Sequence, residues 1–191
     1  DLLNKYKIIH QPIYYQAIIA LIQTYIDKKE FSKAQTVSDL IKNDANFPED
    51  LKNALLLTKA HSFVKNEQFE KAIEPLHDAI LLTKKKKDKP RLLFIEAQLH
   101  SLNESYDDAI KRYKQILSLN PEHILAFNAR LNMARLFIDA DMPTSKIKQM
   151  LFSMIKDEKN IEYLDILYYV LAEIEQEDFN SIKALDYLKK S

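Results

Sequence analysis

The sequence predicts an all-α fold of stacked antiparallel helix pairs, and three observations support this prediction. The 191 residues include no glycine, although tight strand hairpins and phosphate-binding loops depend on glycine at positive φ. Two small residues, Ala97 and Ala109, lie twelve positions apart with a turn between them, and two helices cross closely only where both side chains are small. The same spacing recurs along the chain, which indicates a repeated helical hairpin.

The recurrence has a period of 37 or 38 residues. Ala60 with Ala72 and Ala172 with Ala184 show the same spacing of twelve. A single helix pair cannot bury its apolar face alone, so we expect the repeats to share a continuous core. The anchor positions on the first helix of each repeat are Ile22, Ala60, Ala97, Ala134 and Ala172.

The segment Glu96–Pro121 carries the fullest form of the pattern, because Tyr106 and Tyr113 flank its second alanine. This segment resembles a tetratricopeptide (TPR) helix–turn–helix repeat, whose usual period is about 34 residues. The resemblance implies a right-handed α-solenoid of about five repeats. The surplus residues in each repeat are expected to lengthen helix ends or the turns between repeats.

The predicted repeats form one solenoid fragment. Residues 1–10 are predicted to be the end of a preceding repeat, and because the chain begins inside a predicted helix, we expect a longer protein. The repeats lie near residues 11–43, 47–84, 88–120, 121–157 and 160–191. Their helices are predicted at 13–27, 31–42, 49–65, 69–82, 89–102, 106–119, 121–139, 143–156, 161–176 and 179–190.

The fourth repeat departs from the pattern, because Lys146 occupies the place of the alanine on the second helix. A lysine is costly to bury at a close crossing, so we expect Ile147 and Met150 to take over the packing. Since the chain has no glycine to end its helices, asparagines are expected at the helix C-termini. These asparagines are Asn66, Asn103 and Asn160.

The composition excludes several functional classes. Without cysteine, the chain offers no disulfide, thiolate zinc site or cysteine nucleophile. Basic and acidic residues number 28 each, so the chain lacks the excess of basic residues that is typical of a general nucleic-acid binder. The histidines lack metal-ligand spacing, no nucleophile and base form a recognisable pattern, and no apolar run reaches the length of about 18 residues that spans a membrane. We therefore predict a non-enzymatic protein without metal or cofactor.

In TPR folds the first helix of each repeat lines a concave groove, so residues at fixed distances from each anchor should face it. The candidates mix cationic, amide and aromatic side chains, which suits recognition of another protein. Because Arg91 and Arg135 lie on first helices, an acidic or polar partner segment is expected. The predicted protein-binding residues are His61, Arg91, Phe94, Gln98, Asn128, Leu131, Arg135, Tyr169 and Glu173.

The most strongly biased segment is the lysine run from Lys84 to Lys89. Basic residues are favoured after the C-terminus of a helix, so one interpretation is a solvated turn between repeats. The other interpretation is a contact for an acidic protein, RNA or anionic lipid head groups. The sequence leaves both interpretations open.

Three longer stretches resemble a narrower family. Residues 81–102, 117–137 and 155–174 read LLTKKKKDKPRLLFIEAQLHSL, LSLNPEHILAFNARLNMARLF and IKDEKNIEYLDILYYVLAEI. They are similar to the repeat region of the SprE/PorW-type TPR lipoproteins of Bacteroidetes, and the similarity spans roughly Leu55 to Ser191. The family suggests a signature stretch of Phe127, Asn128, Arg130 and Asn132.

This resemblance implies a role in gliding motility and type IX secretion. The protein would assemble or bridge secretion components at the periplasmic face of the outer membrane, held by a lipid on a cysteine upstream of Asp1. A different class stays open, namely a cytoplasmic TPR adaptor or regulatory module of a larger multidomain protein. An RNA-binding repeat would need a basic inner face, whereas the predicted one is mixed in sign.

Overall fold

The computed structural model describes residues 11–139 and 143–191, and the regular elements in these ranges are all helical. Short 3-10 helices at Glu49–Leu51 and Glu158–Tyr163 lead into two of the α-helices. The all-α prediction is therefore confirmed. In the described ranges the α-helices are α1 (Gln11–Asp27), α2 (Phe31–Lys42), α3 (Lys52–Lys65), α4 (Phe69–Leu82), α5 (Lys89–Leu102), α6 (Tyr106–Ser118), α7 (His123–Asp139), α8 (Thr144–Ile155), α9 (Leu164–Glu177) and α10 (Ser181–Leu188).

The chain divides into two compact units, one ending at Asn103 and the other beginning at Glu104. In unit 1, consecutive helices from α1 to α5 pack against each other, and α1 also lies against α3. In unit 2, α6 to α10 pack in the same sequential way, and α7 lies against α9. Within each unit, therefore, a first helix contacts its own partner and another first helix, as stacked hairpins require.

The helix boundaries agree closely with those predicted. Helices α2, α4 and α5 begin and end at the predicted residues. The fifth repeat differs, because its first turns form the 3-10 helix Glu158–Tyr163 and α9 begins only at Leu164. The helix predicted within residues 1–10 lies outside the described residues.

The described turns inside a repeat share one backbone conformation, which forms without glycine. The third amide after the last helical residue closes the turn; for example, Gln68 N donates to Phe63 O at 2.9 Å. This bond satisfies a carbonyl of the last helical turn, and the residue before it must adopt positive φ. The residues in that left-handed conformation are Lys29, Glu67, Glu104 and Phe179.

Two of the three predicted asparagine caps are confirmed, because Asn66 and Asn103 directly follow α3 and α5. The prediction for Asn160 is wrong, since this residue is buried inside the 3-10 helix Glu158–Tyr163. Its Nδ2 donates to the Met154 carbonyl at 2.8 Å. The side chain of Asn160 thus supplies a hydrogen bond to a backbone carbonyl at the end of α8. This role depends on how the following segment folds back and not on the position of Asn160 along a helix.

Each unit has its own apolar core. In unit 1 the core lies among α1, α2 and α3, where Tyr15 also donates its hydroxyl to Asp44 Oδ2 at 2.6 Å. In unit 2 the core lies among α7, α8 and α9. The small residues predicted at close crossings are all buried: Ala60, Ala72, Ala97, Ala109, Ala134, Ala172 and Ala184.

The fourth repeat packs as predicted around its lysine. Lys146 is exposed on α8, whereas Ile147 is fully buried and Met150 packs against the core of unit 2. The helix therefore turns an apolar residue inward at the position next to the expected alanine, because burying the ammonium group would cost more than the rotation.

Candidate functional site

The predicted binding residues of unit 1 lie on α3 and α5. His61, Arg91 and Gln98 are exposed, and Phe94 is half-buried. Solvent reaches each of these side chains, as a protein-contacting role requires. Their function as a binding surface stays a prediction.

The predicted residues of unit 2 divide into accessible and buried ones. Arg135 and Tyr169 are exposed, and Asn128 and Glu173 are half-buried. Leu131 is only 5% exposed and belongs to the core of unit 2. A partner therefore does not reach Leu131 in this fold, because its side chain packs in the core of unit 2.

The signature stretch on α7 includes core residues. Phe127 is buried, with its ring 4.7 Å from that of Tyr163. Burial raises the pKa of Tyr113 to about 12, partly opposed by a hydrogen bond with Asn132. Phe127 and Asn132 thus have packing roles, whereas Arg130 is exposed.

Unit 1 contains a cleft that the sequence analysis missed. It has a volume of about 590 Å³, and its lining residues come from α2, α3 and α4 together with Phe47 between α2 and α3. The set of lining residues combines an apolar surface with six charged side chains. They are Ser38, Lys42, Phe47, Lys52, Leu55, Leu56, Lys59, Phe63, Lys71, Glu74, Pro75, Asp78, Leu81 and Leu82.

The cleft lies on the opposite side of α3 from the predicted groove. Lys52, Leu56, Lys59 and Phe63 line it at intervals of three or four residues, which places them on one stripe of the helix. His61 is not part of this stripe, because helical spacing puts it about half a turn away from both Lys59 and Phe63. The cleft and the predicted inner face are therefore two separate surfaces of unit 1.

The charges of the cleft are mostly positive. Lys59 Nζ lies 3.5 Å from Asp39 Oδ1 and 6.0 Å from the centre of the Phe63 ring. Lys52 Nζ lies 2.8 Å from Glu49 Oε1. In the described part of the chain, Lys42 and Lys71 form no ion pair or hydrogen bond.

Unit 2 contains three helices that correspond to those of the cleft. An offset of 112 residues carries Ala60 to Ala172 and carries α3, Lys52–Lys65, onto α9, Leu164–Glu177. The same offset carries the start of α4 onto the start of α10, whereas α2 corresponds to α8 with an offset of 113 residues. Position-by-position comparison of the two units is therefore possible.

Aromatic rings occupy the corresponding positions of unit 2. Where the cleft has Leu56 and Pro75, unit 2 has Tyr168 and Tyr187, whose rings stack with centres 6.2 Å apart. The ammonium group of Lys190 lies 5.7 Å from the centre of each ring. Both tyrosines pack against the core of unit 2, so side-chain volume is present where unit 1 is open.

A charged residue of unit 1 also corresponds to a core residue of unit 2. The position of Lys59 is Leu171 in unit 2, and this leucine is fully buried. Its hydrophobic burial stabilises the fold more effectively than the ion pair of Lys59 at the cleft. Unit 1 thus has a charged residue where unit 2 has a core residue.

Two buried carboxylates have basic partners on a neighbouring helix. Glu96 on α5 lies 2.9 Å from Nδ1 of His77 on α4, and Glu175 on α9 lies 2.8 Å from Nζ of Lys148 on α8. Lys148 also donates to Asp178 Oδ2 at 2.7 Å. These contacts join adjacent helices within each unit.

The cluster around Lys148 stabilises its charged form. Burial opposes the charge, but hydrogen bonds to Asp178 and Glu175 outweigh it and raise the pKa of Lys148 above its ordinary value. The hydrogen bond from Lys148 lowers the pKa of Asp178, against a smaller effect of burial. Both charges are therefore favoured near neutral pH.

The described residues show neither a membrane-spanning helix nor a metal-binding cluster. None of the helices in residues 11–139 and 143–191 combines the length and apolar character needed to cross a bilayer. Within the same ranges, no group of three or more His, Cys, Asp or Glu side chains is arranged to hold a metal ion.

Solved structures of TPR-like proteins have the same fold. A crystal structure of MamA matches with a TM-score of 0.63 and 13% identity, covering 88% of this chain and 91% of MamA. The nearly identical TPR-like repeats of a kinesin light chain candidate from Podosopora anserina match with a TM-score of 0.67 and 15% identity, covering 94% and 93%. Neither a protein-family model nor a curated protein matches the sequence. The chain therefore has an all-α, TPR-type repeat fold.

Proposed function

We propose that the chain is a non-enzymatic scaffold that binds other proteins. The observation that carries this proposal is the accessibility of large apolar and cationic side chains on the helical hairpins, including the open cleft of unit 1. Such mixed surfaces suit protein recognition, because apolar anchors supply affinity and charges supply orientation. The TPR-type fold supports the same proposal by analogy.

The predicted inner-face residues supply a first binding surface in each unit. In unit 1 this surface consists of His61, Arg91, Phe94 and Gln98, and in unit 2 it consists of Asn128, Arg135, Tyr169 and Glu173. The exposure of Arg91 and Arg135 supports a role in holding acidic or polar partner segments, since an arginine fork pairs well with a carboxylate. Leu131 is no longer part of the proposed surface.

The proposed cellular role is assembly or bridging of secretion components at the periplasmic face of the outer membrane. Its support is the resemblance of residues 81–102, 117–137 and 155–174 to the repeat region of the SprE/PorW-type lipoproteins. A lipid anchor on an upstream cysteine belongs to the same proposal. The coding sequence upstream of Asp1 tests it directly, because a lipobox cysteine there supports the envelope role and a catalytic or DNA-binding domain contradicts it.

The binding proposal is tested by affinity purification of the tagged full-length protein from its own cell envelope, followed by mass spectrometry. We expect type IX secretion components to co-purify, and Arg91→Glu with Arg135→Glu to reduce their recovery about tenfold. Arg130→Glu on α7 is the matched control, because Arg130 is exposed but lies outside the proposed surface. Recovery of only cytoplasmic enzymes would favour the adaptor alternative, and unchanged recovery in the double variant would refute the role of the two arginines.

A further inference from the structure

The cleft of unit 1 is open because of particular residues and not because the repeat requires it. At the corresponding positions of unit 2, Tyr168 and Tyr187 supply the volume that Leu56 and Pro75 do not. Closing the cleft would bury more apolar surface and thereby stabilise unit 1. The chain forgoes this stabilisation, as proteins commonly do at a binding surface.

The apolar part of the cleft continues to its edge. Leu81 and Leu82 on α4 are 64% and 44% exposed, although both line the cleft. Together with Leu56, Phe63 and Pro75 they form an apolar strip beside solvent. A strip of this kind is a suitable anchor surface for the apolar side of another peptide segment.

The charge of the cleft defines what can bind there. Four lysines line it against two carboxylates, Glu74 and Asp78, and the run Lys84–Lys87 directly follows Leu82. Lys42 and Lys71 form no ion pair in the described ranges, so a ligand can pair with them without breaking an existing bond. The surface is therefore complementary to an apolar segment that carries carboxylates.

We propose that this cleft binds an acidic amphipathic segment of a partner protein. The apolar side chains of the segment contact Leu56, Phe63 and Pro75, and its carboxylates pair with Lys42 and Lys71. The lining residues of α3 run from Lys52 to Phe63, a length of about 17 Å, which a helical segment of about twelve residues covers. This proposal rests on the proposed scaffold function and specifies the partner chemistry of a surface distinct from the inner face.

The test begins with selection of random twelve-residue peptides on the full chain by phage display. We expect the selected peptides to contain at least two large apolar residues and an excess of Asp and Glu. The dissociation constant of a synthetic selected peptide is then measured by fluorescence anisotropy. Lys42→Glu with Lys71→Glu is expected to weaken binding about tenfold or more, and increased salt should weaken binding to the unchanged protein.

Two further variants test whether peptide binding depends on the cleft itself or only on the overall charge of the protein. Lys65→Glu is the matched control, because Lys65 is exposed on α3 but does not line the cleft; we expect its affinity to stay within about twofold. Leu56→Tyr with Pro75→Tyr introduces the residues of unit 2 and should block the peptide while circular dichroism shows a folded chain. This filled variant tests the site without changing its charge.

The outcomes distinguish this inference from the scaffold function. Loss of peptide binding in both the charge-reversed and filled variants supports the cleft. Binding that persists in both but disappears with Arg91→Glu would overturn the cleft and leave the scaffold function standing. The cleft proposal would also be overturned if no acidic peptides were selected and single-stranded RNA or phosphatidylserine vesicles bound through Lys42 and Lys71 instead. That conclusion would not depend on which proteins the envelope purification recovers.

Discussion

The helices α2, α3 and α4 of unit 1 and their counterparts α8, α9 and α10 of unit 2 share one arrangement and differ in what fills it. Unit 2 has Tyr168, Tyr187 and the buried Leu171 where unit 1 has smaller or charged residues. An offset of 112 residues carries α3 onto α9, which has the same length, whereas α8 is shifted by one residue relative to α2. The difference shows that this fold tolerates either a closed core or an open, charged cleft at the same place.

The largest expected effect comes from transferring a cleft residue into the closed unit. Leu171 is 0% exposed and corresponds to Lys59, so Leu171→Lys should lower the free energy of unfolding by about 3–5 kcal/mol through burial of an unpaired charge. Urea denaturation followed by circular dichroism measures it. The control Leu185→Lys changes an exposed leucine of α10 and should have little effect. Equal losses of stability in both variants would contradict burial of the charge as the cause.

A second variant examines the ion pairs that Lys148 on α8 forms with Glu175 and Asp178 near the end of α9. Glu175 is only 3% exposed, and Lys148→Met leaves its carboxylate without the ammonium group. We expect a loss of about 3 kcal/mol at neutral pH, and a much smaller loss for Lys148→Arg, which keeps the charge. A melting temperature that Lys148→Met did not change would show that this cluster adds nothing to unit 2.

The same cluster predicts a pH dependence with a definite sign. The pKa of Asp178 is lowered, so its contribution to stability is present above its ordinary pKa and is lost as the pH falls through the lowered value. The pKa of Lys148 is raised, so its contribution is present below its ordinary pKa and is lost as the pH rises through the raised value. The stability difference between the wild-type chain and Lys148→Met should therefore be greatest between these limits, and a difference independent of pH would contradict this account.

The smallest expected effect concerns the turns that correspond in the two units. Glu67 and Phe179 occupy equivalent positions with φ values of 57° and 56°, a conformation that costs a residue with a Cβ about 1 kcal/mol. Glu67→Gly and Phe179→Gly should each stabilise the chain by about 0.5 kcal/mol, because the relieved strain exceeds the opposing cost of ordering the more flexible glycine on folding. Thermal unfolding measures both changes. Destabilisation by Phe179→Gly alone would mean that the phenyl ring, which is 95% exposed, stabilises its unit in another way.

Much of the local structure was predictable because it depends on short-range spacing. The alanines twelve apart are buried as predicted, and the ends of α2, α4 and α5 followed from the breaks between apolar patterns. Asn160 was misplaced because its role depends on a carbonyl six residues earlier, at Met154. Sequence rules for helix C-termini consider residues directly at the helix end, so they miss a side chain that reaches back from the following segment.

The candidate surfaces were only partly predictable. Periodicity identified which side of a first helix carries His61, Arg91 and Gln98, all of which are exposed. It did not distinguish Leu131, because a leucine at a groove position and one at a core position have the same local pattern. The cleft was missed for a related reason: its lining comes from α2, α3 and α4 together, and no single helix reveals the space between three.

The sequence by itself determined the all-α class, the period of 37 or 38 residues and the small side chains at the crossings, since these follow from glycine's absence and from spacing along one chain. The tertiary structure decided which charged residues border open space and which lie in pairs. Lys59 and Leu171 occupy equivalent positions in equivalent helices, yet one lines a cleft and the other is buried. That outcome depends on the volume that neighbouring helices contribute, and packing volume is a property of side chains brought together only by folding.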